Sequence, residues 1–272
     1  MRANRMGDGE EITTGGEATR KVALVTGGTA GVGLSVARLL AGAGAKVIVN
    51  GRSPAGGDKA LTTLAAVAAD CEFLPGDATN FASMADVVES CLERHGHLDI
   101  LVSAGGEGGP GPMAFAEMSP AEIVSSFQTR LLARLFPVRA ALPALRRSRG
   151  SIVMLTTDAG RHATPGEVMM GAVGAAVISA TKGLARELAR DGVRINSVAL
   201  TITSGTPSWD RIFARESFES DLFSKAVARF PFGRPPTADE VAQIAAFLAL
   251  DQAGQVTGQT ISVNGGLSFG GW

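Results

Sequence analysis

The chain has 272 residues, of which 45% are hydrophobic and 19% charged, and its formal net charge is −1. This composition is typical of a folded globular protein and argues against disorder, and the length is near the upper end of what one α/β core accommodates. The near-neutral charge argues against nucleic acid and an anionic membrane as partners. Cys71 and Cys91 lack metal-ligand spacing, so we expect no metal site and two free thiols in a reducing compartment.

The first 20 residues are polar and glycine-rich and contain no apolar core. They predict a flexible leader rather than a signal peptide or a membrane anchor. No later apolar run is long and uninterrupted enough for a convincing membrane span, so we expect a cytoplasmic protein. Residues 21–272 are expected to form one domain.

From residue 21 onward, short apolar runs alternate with longer segments of helical periodicity. Continuous apolar strands separated by helices predict a mostly parallel sheet with helices on both faces, and right-handed crossovers make it a doubly wound, Rossmann-type α/β fold of seven strands. The predicted strands are 22–25, 47–49, 72–74, 100–102, 152–155, 195–199 and 261–263, and the predicted helices are 32–43, 60–69, 81–94, 121–146, 168–190 and 238–250.

The alternation lapses at about residues 201–234, where an aromatic-rich insertion follows the sixth strand. Such insertions on the ligand side of a sheet commonly form lids, which predicts a small substrate lid here. The aromatic residues fit a bulky apolar substrate, and they fit equally well a helical flap that buries its own apolar face.

A glycine-rich turn joins the first predicted strand to the first predicted helix. Gly27, Gly31 and Gly33 permit a sharp turn and let backbone N–H groups approach a pyrophosphate at the positive end of the helix. Glycine also serves ordinary turns, but this place in an alternating strand and helix pattern favours a dinucleotide site that includes Thr29 and Val32.

The end of the second strand indicates which nicotinamide cofactor is bound. An acidic residue there would bind both ribose hydroxyls and repel a 2′-phosphate. This chain has Gly51 instead, followed by Arg52 and Ser53. The guanidinium group of Arg52 suits a phosphate, so the sequence predicts NADP(H). The alternative is that Arg52 is a solvated loop cation.

The spacing TGxxxGxG at residues 26–33 resembles the short-chain dehydrogenase/reductase family, and the resemblance covers the chain from Lys21 to its end. The segments 75–79, 99–102, 194–198 and 257–266 are similar to further motifs of the family. The resemblance implies that Asp77 holds the adenine amino group, although this residue could equally cap the helix that follows. Further implied cofactor contacts are Ala78, Ser103, Ala104 and Gly105.

The resemblance also implies a homo-oligomer, a tetramer or a dimer. Its interfaces would use the two long predicted helices, 121–146 and 168–190, and the last strand. A small-molecule substrate is the other expected partner.

The family's catalytic residues are missing from this sequence. The family protonates a carbonyl with a Tyr that a Lys four residues later activates, while a Ser orients the substrate and an Asn completes a proton relay. Counting without gaps places the Tyr position at Met170, the Lys position at Gly174, the Ser position at Thr157 and the Asn position at Arg130. The chain contains no tyrosine, so the usual mechanism is not available.

Ionisable residues near these positions offer other proton donors. Glu167 precedes Met170 by three residues, where the family's enoyl-acyl-carrier-protein reductases have their Tyr. His162 is a second candidate, and Arg130 could replace the missing cation or bind a substrate carboxylate. Each has an ordinary interpretation: Glu167 as a first-turn helix acid, His162 and Arg161 as loop surface, and Arg130 as a solvated or paired helix residue.

Two classes of function remain open. The first is an NADP(H)-dependent oxidoreductase that acts on a small apolar carbonyl, enone or imine, with Glu167, His162 or a bound water as its acid. A variant is a non-redox enzyme, such as a dehydratase, isomerase or cyclase, that uses the same pocket. The second is a catalytically silent protein that binds cofactor or a partner. The ionisable groups in the pocket favour an enzyme.

Overall fold

Seven parallel strands form one sheet at the centre of the fold. The computed structural model describes residues 20–106 and 108–269, so nearly all of the predicted leader lies outside the described residues. The strand order is β3-β2-β1-β4-β5-β6-β7, which confirms the predicted seven-stranded, doubly wound sheet. The strands are β1 Val22–Thr26, β2 Lys46–Gly51, β3 Glu72–Pro75, β4 Ile100–Ser103, β5 Ser151–Thr157, β6 Arg194–Leu200 and β7 Thr260–Val263.

Helices cover both faces of this sheet, which explains why its strands are continuously apolar. In β1, Ala23 and Val25 belong to the core on one face, whereas Leu24 belongs to the core on the other. The first face carries α1 (Gly31–Gly42), α2 (Pro54–Leu64) and α9 (Ala238–Ala249), and the second carries α3 (Phe81–His95), α5 (Ala133–Ser148) and α6 (Val168–Leu188).

Helix α2 begins six residues before the start predicted from periodicity. The Ser53 hydroxyl accepts a hydrogen bond from the Gly56 N–H at 3.3 Å, and Pro54 takes the first helical position, so the start is well capped. A Cβ on Gly57 would lie 2.5 Å from the Phe73 ring. The glycines that interrupt the sequence pattern therefore let the helix pack closely on β3.

The predicted helix 121–146 is divided into three parts. Helix α4 (Pro120–Ser126) passes into a π-helical segment, Phe127–Leu132, and then into α5. Within the π-helical segment, the Thr129 hydroxyl donates to the Ser125 carbonyl at 2.7 Å. Such segments are rare and often occur at functional sites, and this one contains Arg130.

The insertion at 201–234 contains two short helices, α7 (Pro207–Phe213) and α8 (Phe218–Val227). Its apolar side chains form a small core of their own around Ile202, Ile212 and Phe230. The rings of Trp209 and Phe213 pack on this core with their centroids 4.4 Å apart. Much of the aromatic content therefore serves the packing of the insertion itself.

Among the described residues, one helix has the length and apolar composition of a membrane span. It is α6 with the turn that follows, Val168–Asp191, whose mean hydropathy is 1.5. Within the fold this helix packs on β5 and β6, and core helices of globular proteins pass the same test of length and composition. The match is therefore weak evidence for a membrane span.

Candidate functional site

The glycine-rich turn after β1 lies at the carboxyl ends of the strands, beside the turn after β4. Gly27 has φ +63°, and a Cβ there would lie 2.7 Å from Gly105 Cα. A Cβ on Gly33 would overlap the Gly27 carbonyl. Ala30 precedes α1 and has no capping side chain, so the N–H groups of the first turn are available to an anion. Thr29, Gly31 and Val32 complete this turn.

The end of β2 is closed to a larger residue by the same turn. A Cβ on Gly51 would lie 2.9 Å from Thr29 Cγ2 and 3.0 Å from Thr29 Oγ1, so an acid cannot stand there without displacing Thr29. Ser53 caps α2 next to Thr29. Arg52 is exposed, and its side chain has no hydrogen bond or ion pair with the rest of the described chain.

The remaining predicted cofactor residues lie after β3 and β4. Asp77 Oδ1 accepts hydrogen bonds from the Thr79 N–H at 2.9 Å and the Thr79 hydroxyl at 2.8 Å, whereas Asn80 caps α3. Asp77 is therefore not the helix cap. Ala78 and Ala104 flank this edge together with Gly105. The Ser103 hydroxyl is fully buried and donates to the Arg134 carbonyl at 3.0 Å, so its side chain is committed to the fold.

The position that the resemblance assigns to a lysine has no room for a side chain. A Cβ on Gly174 would lie 2.7 Å from Thr157 Cγ2 and 3.0 Å from Gly160 Cα. A Cβ on Gly160 would in turn lie 2.5 Å from the Gly174 carbonyl carbon. Helix α6 thus touches the turn after β5 through backbone atoms, and the Thr157 methyl fills what space is left. The Thr157 hydroxyl accepts from the Ala159 N–H at 3.2 Å.

Glu167 is a buried acid at the residue before α6. It is 8% exposed, and its side chain makes no capping hydrogen bond to the helix, so it does not act as an ordinary first-turn acid. Burial raises the pKa of its carboxyl to about 7. A hydrogen bond with Thr164 and the positive charge of Arg130 oppose this rise in the pKa, and the negative charge of Glu219 on α8 adds to it.

Arg130 and His162 both precede this acid in the sequence, by 37 and 5 residues. Arg130 Nη2 donates to the Pro110 carbonyl at 2.7 Å, which fixes the guanidinium group near the loop before α4. His162 Nε2 is buried and has no hydrogen-bond partner among the described residues. The structure thus brings Arg130 within electrostatic reach of Glu167 and leaves a second titratable group with an unused ring nitrogen.

The interpretation of Arg161 as part of the loop surface is wrong. Its guanidinium group donates to Ser262 Oγ at 2.9 Å and to the Thr260 carbonyl at 2.7 Å. It therefore joins the turn after β5 to the edge strand β7.

Sequence reasoning did not identify Arg134 as part of this region. Its guanidinium group donates to the Leu155 carbonyl of β5 and, at 2.7 Å, to the Arg130 carbonyl. A Cβ on Gly106 would overlap Arg134 Nη1, so the guanidinium group lies directly against the turn after β4. The available signal was its spacing of four residues from Arg130 in a predicted helix.

The insertion 201–234 contacts both halves of the site. Pro207 Cδ lies 3.3 Å from where a Cβ on Gly31 would stand, at the glycine-rich turn. The Phe218 ring lies as close to the Cβ position of Gly166, next to Glu167. Helices α7 and α8 therefore extend over the cofactor side and the acid side of the same sheet edge.

A protein-family model described as enoyl-(acyl carrier protein) reductase matches residues 27–268. The chain is 34% identical over 248 residues to a 2,3-dihydroxy-2,3-dihydro-p-cumate dehydrogenase of Pseudomonas putida, covering 90% of this chain and 93% of that protein. It is 32% identical over 250 residues to an L-fucose dehydrogenase of Mus musculus, covering 92% of this chain and 89% of that protein.

Solved structures agree with these relatives. An actinorhodin polyketide ketoreductase variant in complex with NADPH superposes with a TM-score of 0.83 at 30% identity, covering 91% of this chain and 97% of that one. A short-chain oxidoreductase of Pseudomonas aeruginosa, described as containing an atypical catalytic center, has the same TM-score at 28% identity, covering 92% and 98%. The chain belongs to the short-chain dehydrogenase/reductase family of oxidoreductases.

Proposed function

We propose that this protein is an NADP(H)-dependent oxidoreductase with a non-standard active site, in which Glu167 is the proton donor. The observation that carries the proposal is the buried carboxyl group of Glu167 in a chain without tyrosine, and burial raises the pKa of this group to about 7. A carboxyl group that keeps its proton near neutral pH is a competent general acid, and burial is a common means of producing one. The substrate is a small, apolar carbonyl, enone or imine.

The residues at the carboxyl ends of β1 to β4 would hold the cofactor. The glycine-rich turn and the uncapped start of α1 suit a pyrophosphate. Arg52, with Ser53 and Thr29 beside it, suits a 2′-phosphate, and the closure of Gly51 by Thr29 disfavours the acid that would select NAD(H). We assign Asp77, Ala78, Ser103, Ala104 and Gly105 to the remaining contacts, with Ser103 acting through its backbone. Bound NADPH supplies the hydride.

The residues around Glu167 would complete the reaction. Glu167 donates its proton to the substrate and becomes an anion, which the nearby charge of Arg130 stabilises. Thr157 orients the substrate in place of a serine, and His162 is the second candidate donor because its Nε2 is unused. The insertion 201–234 acts as a lid that excludes water from this side.

A second function is favoured by the closure of the Gly174 position. Without a side chain there, the cation that the family uses on α6 is absent, which suits a non-redox enzyme or a catalytically silent cofactor-binding protein. Two experiments separate these alternatives from the oxidoreductase: a cofactor titration detects binding, and an assay of NADPH oxidation detects the redox activity that the alternatives lack.

The first test is a titration with NADPH and with NADH, followed by nicotinamide fluorescence. We expect NADPH to bind more tightly, and Arg52→Asp to weaken NADPH binding by about tenfold or more because it replaces attraction by repulsion. Lys59→Asp is the matched control, since it makes the same change of charge at an exposed position of α2. Failure of the wild-type protein to bind either nucleotide would overturn the oxidoreductase proposal.

The second test follows NADPH oxidation with a panel of ketones, enones and imines. Glu167→Gln should reduce turnover by about 100-fold or more, the usual contribution of a general acid, without changing NADPH affinity. Glu216→Gln is the control, because Glu216 is an exposed carboxyl group in the insertion 201–234. Undiminished turnover in Glu167→Gln would remove Glu167 as the donor.

A further inference from the structure

The carboxyl-terminal end of the described chain folds back onto the turn after β5. Asp158, the first residue of that turn, is 4% exposed. Its carboxylate accepts hydrogen bonds from Ser262 Oγ at 2.7 Å, from Asn264 Nδ2 at 2.6 Å and from Ser268 Oγ. A buried carboxylate is costly unless it is hydrogen-bonded, and here all three donors come from the last nine described residues.

The segment Asn264–Ser268, which we call the clasp, is shaped for this contact. Asn264 Nδ2 also donates to the Ser268 carbonyl at 2.7 Å, and Asn264 Oδ1 accepts from the Gly266 N–H at 3.1 Å. Gly265 and Gly266 have φ values of +57° and +77°, which favour glycine and reverse the chain direction. The amide of Asn264, at the start of the clasp, therefore binds the middle of the clasp, its far end and the carboxylate of Asp158 at once.

Asp158 in turn organises the residues around it. Its carbonyl accepts hydrogen bonds from the Arg161 N–H at 2.9 Å and the His162 N–H at 3.1 Å, and Thr157 precedes it directly. The Arg161 guanidinium group donates to Ser262 Oγ, the same hydroxyl that donates to Asp158. The turn that carries Thr157 and His162 is thus held by side chains of β7 and the clasp.

We propose that the clasp is a positioning element of the site: Asn264 and Ser268, acting through Asp158, fix where the Thr157 hydroxyl and the His162 ring lie. The catalytic roles of Thr157 and His162 rest on the proposed function, but the effect of the clasp on the positions of these two side chains does not. Because small displacements of groups near the reacting atoms cost large factors in rate, loss of the clasp should lower turnover more than cofactor affinity.

The test uses the ring signals of the three histidines in ¹H–¹³C NMR spectra of the full chain. Ser268→Ala, which removes one donor to Asp158, should shift the His162 signals and leave those of His95 and His97 in place. Ser268→Thr keeps the hydroxyl and should restore the wild-type His162 signals. Phe269→Ala is the matched control, because Phe269 is the adjacent residue and is 84% exposed. Thermal unfolding of each variant establishes that it is folded.

With a substrate in hand, Ser268→Ala should lower kcat about tenfold while the dissociation constant for NADPH stays within about twofold. Unchanged His162 signals in Ser268→Ala, a shift that Ser268→Thr fails to reverse, or equal shifts of all three histidines would overturn the proposal. If no variant binds NADPH or turns over substrate, the proposed function fails, and the His162 signals still decide the role of the clasp.

Discussion

The side chain of Glu167 lies inside the protein although its sequence position is that of a surface acid. Its place three residues before Met170 could be read from the sequence, and it made this residue a candidate. Its burial and its charged neighbours could not be read, because Arg130 and Glu219 are 37 and 52 residues away in the chain. The chemistry of a carboxyl group depends on such distant neighbours, so candidate acids are easier to locate than to rank.

The raised pKa of Glu167 predicts a specific pH dependence of stability. Between its ordinary pKa of 4.5 and the folded-state value of about 7, the unfolded chain releases this proton while the folded protein keeps it. The stabilising contribution is therefore complete below pH 4.5 and is lost as the pH rises through 7, and a shift of this size corresponds to at most about 3 kcal/mol. Glu167→Gln cannot titrate.

The measurement is the free energy of unfolding of wild type and Glu167→Gln at pH 5 and pH 8, by urea denaturation. The wild-type protein should lose stability relative to the variant as the pH rises. A difference between the two proteins that does not change with pH would contradict a raised pKa at this residue.

Among the elements, the contact between α6 and the turn after β5 is set by glycines on both sides. The sequence indicated that Gly174 stands at the lysine position. It could not show that Gly160 approaches so closely that no side chain fits there, because the two glycines belong to separate elements. Similarly, the capped start of α2 could be recognised from Ser53 and Pro54, whereas the π-helical segment in 121–146 left no clear mark in the periodicity.

This contact predicts that Gly174→Ala destabilises the protein by about 1–3 kcal/mol, the cost of inserting a methyl group into a filled space. Gly42→Ala on α1 is the control, because its Cβ would make only an ordinary contact at 3.4 Å with Val67 and should be neutral or slightly stabilising. Equal free energies of unfolding for Gly174→Ala and Gly42→Ala would contradict the conclusion that no side chain fits at the Gly174 position.

Because no side chain fits there, the double substitution of Met170→Tyr and Gly174→Lys should not create the family's usual catalytic pair.

At the scale of the whole molecule, the seven-stranded, doubly wound sheet followed from the alternation of apolar runs, since parallel crossover topology leaves few arrangements. What remains a prediction is the assembly. Helix α6 presents Val168, Ala172, Ala175 and Ser179 along one exposed line, and Val168 is 52% exposed. Small side chains allow helices of two copies to approach closely, and Val124 on α4 is also half exposed.

We therefore expect a dimer or a tetramer that Ala175→Arg converts to a smaller species, because a long charged side chain would hold the helices apart. Light scattering coupled to size-exclusion chromatography measures the mass directly. Ala66→Arg, an exposed position beyond α2, is the control and should leave the mass unchanged. A monomeric wild-type protein would contradict the expected assembly.

The hydrogen bonds of Asp158 also determine when, during synthesis, the turn after β5 can form. Residue 158 leaves the ribosome about a hundred residues before Ser262, Asn264 and Ser268, which supply all three donors to its carboxylate. Until those residues emerge, the carboxylate must stay hydrated, because burial without donors is too costly. The turn after β5 can therefore reach its final form only after residue 268 has been synthesised, and a nascent chain that ends before Ser262 lacks all three donors to the Asp158 carboxylate.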